Sequence, residues 1–136
     1  MTWTFATGRV GKPTTYYFDG NGNFQIVTGS RPWRDNNPGS IEYGDWARNH
    51  GAIGDDSRFA IFPDYATGRS AMFDHFFAPD STYINLRIDE AINRRSPPSE
   101  NDTEAIIRDV CNWSGLSRDK VLSQMTSEVS KIWGQS

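Results

Sequence analysis

The residues best suited to chemistry fall in one stretch, Arg31 to Phe77, and Glu42 is the first of them. It stands between Ile41 and Tyr43, with Trp46 close behind. A carboxyl group among apolar neighbours keeps its proton to higher pH. That is what a general acid needs in order to protonate the leaving oxygen of a glycosidic bond. Asp55, in the pair Asp55-Asp56, offers a second carboxylate to direct water or the sugar ring. The amides of Asn36 and Asn37 suit substrate orientation, the rings of Trp33, Tyr43 and Trp46 suit stacking on sugars, and Glu100 supplies a further carboxylate at the cleft. Each also has a plainer reading. Glu42 reads as a solvated loop charge and the tryptophans as core. Asp55-Asp56 reads as a polar turn, Asn36-Asn37-Pro38-Gly39 as a turn by local propensity, and Glu100-Asn101-Asp102 as a helix cap.

Other chemistries find no support. The only histidines are His50 and His75, with no HExxH spacing, and Cys111 is the single cysteine, so no metal site is expected. No GxSxG elbow, GxxxxGK[ST] loop or GxGxxG fingerprint occurs, and no cofactor is implied. Cys111 lies beside an apolar helix stripe and reads as a structural thiol, since nothing nearby would activate it. No internal disulfide can form. A net charge of −3 without a basic run argues against a sequence-independent nucleic-acid partner. The amino terminus has no apolar signal core, and no apolar run approaches the ~20 residues of a membrane helix. A protein made in the cytosol, with no membrane insertion, is the expectation.

The 136 residues suit a single domain, 1–136, long enough to bury a real core. Several elements must position the candidate residues. Thr14–Phe18 and Asn23–Thr28 are rich in β-branched and aromatic residues around Asp19-Gly-Asn-Gly22, which predicts a hairpin. Residues before it give no clear pattern. Ser30 to Asp56 reads as loop with a short helix over Tyr43–His50, and Arg58–Phe62 as a short strand. Asp64 caps a predicted helix with Tyr65, Arg69, Met72, Phe73, Phe76 and Phe77 on one face. A short helix carrying Leu86, Ile88, Ala91 and Ile92 ends before Ser96-Pro97-Pro98. A capped helix then runs from about Asp102 to a Gly115 stop. A last helix is expected from Ser117, carrying Val121, Leu122, Met125, Val129, Ile132 and Trp133. The class is α+β: mainly helical, with an N-terminal hairpin and one short central strand.

Arg34-Asp-Asn-Asn-Pro-Gly-Ser-Ile-Glu-Tyr-Gly44 resembles the RNNNPGNIEYG segment of phage- and effector-associated peptidoglycan hydrolases. Gly51-Ala-Ile-Gly54, Arg58-Phe-Ala-Ile-Phe-Pro63, Gly68-Arg-Ser-Ala71 and Ala91-Ile-Asn-Arg-Arg-Ser-Pro-Pro-Ser-Glu-Asn-Asp-Thr103 continue the likeness in order. The chain is most similar to type VI secretion glycoside hydrolase effectors of the lysozyme superfamily, and among glycosidases to the glucosaminidases of glycoside hydrolase family 73. That family's catalytic Glu lies on a helix ahead of the matching region, where this chain has no Glu before Glu42. The resemblance therefore points either to Glu42 as the acid, in an order similar to that of lytic transglycosylases, or to an acid from another part of the fold, with Asp55, Asp56 and Glu100 as the alternatives and Asp55 also a candidate second carboxylate. It implies a lysozyme-like fold and cleavage of β-1,4 bonds in the peptidoglycan glycan strand. It also implies delivery by a type VI system from the cytoplasm into a target bacterium's periplasm, as an antibacterial toxin with a cognate periplasmic immunity protein over the active site. A lytic transglycosylase, or a non-catalytic phage or secretion module that binds peptidoglycan, remains an alternative.

Overall fold

The computed structural model describes residues 3–9, 11–78, 81–99 and 101–124. Among these the chain is mixed α/β, with five helices and a five-stranded mixed sheet. It gathers into two compact units, Met1–Met72 and Phe73–Ser136.

The first unit is built on the sheet. The predicted hairpin forms as β2 (Thr14–Phe18) and β3 (Phe24–Thr28), in register from Thr14 opposite Thr28 to Phe18 opposite Phe24. Asp19 fixes its turn, accepting from the backbone N–H groups of Asn21 (2.8 Å) and Asn23 (3.0 Å). The sheet is larger than the hairpin and single strand expected. Phe5–Gly8 forms β1, which pairs antiparallel with β2 on one side and parallel with β4 (Gly54–Asp55) on the other. Next to β4, β5 (Ala60–Ile61) completes the order β3-β2-β1-β4-β5. Gly54 is required at this junction, because a Cβ there would lie 1.7 Å from the Ala6 carbonyl oxygen. The predicted strand Arg58–Phe62 is regular only over β5, because at Phe59 it bridges Glu42 instead of a sheet strand.

Two short helices occupy the region read as loop. Pro32 near the start of α1 (Arg31–Arg34) suits a helix N-terminus, where its missing N–H costs nothing. The helix predicted over Tyr43–His50 shortens to α2 (Asp45–Asn49). α3 (Tyr65–Phe76) begins as predicted at Asp64, whose Oδ1 accepts from the Thr67 backbone N–H (2.7 Å) and hydroxyl (2.8 Å). Two patches of core can be distinguished in this unit. Ala6, Tyr17 and Ile61 pack with Trp3, Val27 and Ile53 on one face of the sheet, while Ile41, Ala47, Ala60, Phe62 and Ala71 pack with Tyr43 and Ala52.

The second unit is helical. α4 (Ile88–Arg95) stops at Ser96, ahead of Pro97-Pro98, and buries Ile88, Ala91 and Ile92. α5 (Thr103–Ser114) starts where Asp102 caps the Ala105 N–H (3.3 Å) and ends at Gly115 in the left-handed region, both as its sequence predicts. Thr103 donates its hydroxyl to the Ser96 carbonyl, tying the two helices at their junction. Arg118 bonds both Glu104 oxygens and reaches Asp89 (3.4 Å), which Arg87 also contacts (2.7 Å). The helix expected from Ser117 does not form over the described residues. Val121 instead bridges Arg87 in extended conformation, and Leu122–Gln124 is a single 3-10 turn with Leu122 buried. Pairing to the α4 lead-in satisfies backbone groups here that a helix would need for itself: Leu122 N–H donates to the Leu86 carbonyl and Ser123 N–H to that of Ile84. Met125, Val129, Ile132 and Trp133 lie outside the described residues. Cys111 is half-buried, and that burial pushes its thiol pKa up, as suits a structural cysteine.

Candidate functional site: a buried polar clasp beneath an aromatic surface

The candidate stretch is anchored from below by polar side chains that face inward. β2 turns Thr15 and Tyr17 to the buried side. Thr15 donates its hydroxyl to Asp35 Oδ1 (2.5 Å), and Tyr17 donates to the Arg34 carbonyl, so both hold the end of α1. Asn36, at φ 53°, donates its amide to the Phe62 carbonyl (3.0 Å) and to the Tyr17 oxygen (3.3 Å). Asn37 is 1% exposed. Its Nδ2 donates to the carbonyls of Ile41 (2.9 Å) and Ala60 (2.9 Å), and its Oδ1 accepts from the Ile41 N–H (3.0 Å). These two amides were expected to orient substrate. They are spent on backbone groups that a loop would otherwise leave unpaired in the interior. α3 closes the clasp, since a Cβ on Gly68 would lie 1.7 Å from the Asn36 carbonyl oxygen.

Asp35 is the residue that sequence reasoning missed. It is fully buried, and desolvation, then the neighbouring Asp56 carboxyl, push its pKa up to about 8, against the pull of Thr15 and Arg34. Asp35 Oδ2 receives no N–H or O–H from the protein. The neighbouring Asp56 carboxyl has its Oδ1 occupied by the backbone N–H groups of Phe59 (2.7 Å) and Arg58 (3.1 Å). Burial also raises the Tyr17 phenol far above its ordinary value, so it stays a donor. One sequence signal could have revealed the cluster: β2 alternates with its polar Thr15 pointing inward, and a buried hydroxyl needs a partner.

Above the clasp, residues 41–43 run beside 58–60, with Ala60 N–H donating to the Ile41 carbonyl (2.9 Å) and Tyr43 N–H to that of Arg58 (2.9 Å). Glu42 points out of this pairing. Its side chain is 62% exposed, and Arg58 Nε (3.2 Å) and an Arg58 terminal nitrogen (3.1 Å) both donate to Oε1. The apolar enclosure expected around Glu42 is missing. Arg58 and Arg31 both lie over the Phe59 ring, Arg31 at 3.7 Å from its centroid, and two residues on, exposed Trp33 stacks on Tyr65 at 5.0 Å. Glu42, Arg58, Phe59 and Arg31 thus form one run of contacts, and Trp33 with Tyr65 forms a separate stack.

The remaining predicted residues are scattered. Tyr43 packs half-buried on the core with Arg48 over its ring, and Trp46 stacks on His50 at 3.7 Å. Asp55 sits in β4 and caps the turn at the Ser57 N–H (2.8 Å), which is the plainer of its two readings. Glu100 lies outside the described residues. No group of acidic, histidine or cysteine side chains among the described residues is arranged to hold a metal, and no described helix is long and apolar enough to cross a membrane. Comparison with protein-family models, characterised proteins and solved structures finds no match to this chain.

Proposed function

We propose that the protein is a peptidoglycan glycoside hydrolase of lysozyme-like type, with Glu42 as the carboxyl group at the scissile bond. The observation that carries this reading is the surface on which Glu42 stands. It is the only glutamate before Glu90, and it projects from a rigid pairing. Its run of contacts takes in the Phe59 ring through Arg58, the same loop region carries the exposed Trp33 ring stacked on Tyr65, and its Oε2 has no partner among the described residues. Arg58 holds Glu42 in place. A bound sugar strand would displace Arg58 and water, leaving the acid in the desolvated setting that proton donation requires. Without a second carboxylate beside Glu42, the 2-acetamido group of the sugar serves as internal nucleophile. The linked motifs shared with secreted wall hydrolases support delivery by a type VI system into a rival's periplasm, with an immunity protein covering this surface in the producer.

A second reading, a glycan-binding module without catalysis, is favoured by the exposure and ion pairing of Glu42, which are those of a solvated carboxylate. Digestion of purified sacculi by wild type and Glu42→Gln, followed by mass spectrometry of soluble products, separates the two. Wild-type release of muropeptides with new reducing ends, lost in Glu42→Gln while sacculus binding persists, supports the hydrolase. Equal release by Glu42→Gln removes Glu42 from the role. Binding without release by wild type selects the module, and 1,6-anhydro ends select a transglycosylase.

A further inference from the structure

The meander β1–β2–β3 wears its apolar side outward. Phe5, Phe18 and Phe24 sit opposite one another in register across three strands, at 53%, 37% and 65% exposure, with Phe5 and Phe18 stacked at 6.0 Å. Tyr16 and Ile26 form the next rung, also exposed. The inward residues of β1 and β2, among them Ala6, Thr15 and Tyr17, already serve the core and the clasp. The outer rings therefore contribute nothing to folding that smaller residues would not, and a patch of this kind marks an interaction surface.

Its chemistry is not uniform. Beside the β1–β2 turn, which closes with Lys12 N–H donating to the Arg9 carbonyl (3.1 Å), lies a groove of about 680 Å³. Thr7, Thr14, Tyr16 and Phe18 form its floor, and Arg9 and Lys12 its only charged lining. Both cations are exposed, neither has a carboxylate partner among the described residues, and no acidic side chain lines the groove. Two ring faces, three hydroxyls and two cations complement a ligand with flat apolar faces, hydroxyls and spaced negative charge.

We propose that this groove is a second subsite for a carboxylate-bearing sugar strand, taking sugar faces on Tyr16 and Phe18 and carboxylates on Arg9 and Lys12. This rests on the peptidoglycan reading above and adds to it the side of the strand on which the lactyl groups project, bearing stem-peptide carboxylates or, where the stem is removed, their own. A single-stranded nucleic acid also stacks on aromatic strands, but it is tracked by a row of phosphate-neutralising cations. Here there are two, on a chain of net charge −3. A sugar polymer with roughly one carboxylate per repeat asks for no more.

The test measures binding, kept apart from cleavage by working in the Glu42→Gln background. Wild-type groove and Arg9→Glu/Lys12→Glu proteins are titrated with three probes: muramyl-containing glycan strands, an uncharged chito-oligosaccharide, and oligo(dT). The expected result is about tenfold weaker binding of the muramyl strands by the charge-reversed protein, on the order of 0.7 kcal/mol for each exposed charge pair. The loss should fade at high salt, with the chito-oligosaccharide unaffected. Tyr16→Ala should weaken both sugars. Unchanged muramyl binding by the charge-reversed protein overturns the proposal, as does tighter binding of oligo(dT), or a concentration-dependent dimer that Phe24→Ser abolishes. If wild type cleaves sacculi and the charge reversal changes nothing, only this subsite fails. If charge reversal matters but nothing is cleaved, only the hydrolase reading fails.

Discussion

Asp35 and Glu42 stand seven residues apart on one loop and meet opposite fates. Asp35 is sealed beneath the loop, its pKa pushed up by burial, and accepts from Thr15, whereas Glu42 stands above it, exposed and paired with Arg58. Between them Asn37 ties the loop to two carbonyls and an N–H. The contrast teaches how a glycine-rich stretch becomes rigid enough to hold a site. Its inward polar groups do the fastening, which leaves only the outward ones available for a ligand. The carboxyl with the raised pKa is buried, and the exposed carboxyl lacks an apolar setting.

The comparison is broken most severely where the clasp meets α3. Gly68→Ala should destabilise the first unit by roughly 3 kcal/mol or more, because backbone and not a flexible side chain must give way to the new Cβ. Thermal unfolding would register it, and a variant within 1 kcal/mol of wild type would mean that the Asn36 carbonyl is not fixed against the helix. Asn37→Ala comes next. It leaves the buried Ile41 N–H without its acceptor and takes one donor each from the Ile41 and Ala60 carbonyls, the former still held by Ala60 N–H, at a cost of about 2–3 kcal/mol. If the loop is only a platform for Glu42, wall digestion should fall in step with the folded fraction and no further.

Much of this framework was legible beforehand. The hairpin announced itself through Asp-Gly-Asn-Gly, α3 through its Asp64 cap, and α5 through its Asp102 and Gly115 ends, because each rests on local backbone chemistry. β1 was not legible: Phe5-Ala-Thr-Gly8 is too short for a period, and its parallel partner β4 lies more than forty residues away. The clasp was hidden for the same reason. Asn36 and Asn37 have turn propensity, which they satisfy, but their partners Phe62 and Ala60 are fixed only by the tertiary fold. In the candidate stretch the turn at Asn36 and Asn37 was legible and the burial of their side chains was not, since propensity does not say which face of a loop is buried.

Asp35→Asn sharpens the contrast through pH. A carboxyl whose folded pKa is about 8, against 3.8 unfolded, holds an extra proton in the folded state between those values. Stability from this group is therefore complete below about pH 4 and is lost as pH rises toward 8. Asn mimics the protonated form and does not titrate. Relative to wild type, Asp35→Asn should be near neutral at about pH 4.5 and more stable, by on the order of a few kcal/mol, at pH 8 and above. Denaturant titrations at the two pH values measure the difference. A difference that does not change with pH would place the proton elsewhere in the pair.

The smallest effect is expected at Glu42 itself. An ion pair with both side chains more than 60% exposed contributes less than ~1 kcal/mol, so Arg58→Ala and Glu42→Gln should each leave the unfolding midpoint almost unmoved. The two variants should part company in function. Glu42→Gln removes the carboxyl that the proposed reading makes the proton donor, so it should lose wall digestion. Arg58→Ala removes only the ion-pair partner of that carboxyl, so it should retain wall digestion. If Arg58→Ala abolishes digestion as completely as Glu42→Gln, the pair acts as one ligand-binding element, and Glu42 is a carboxylate that binds rather than an acid that cleaves.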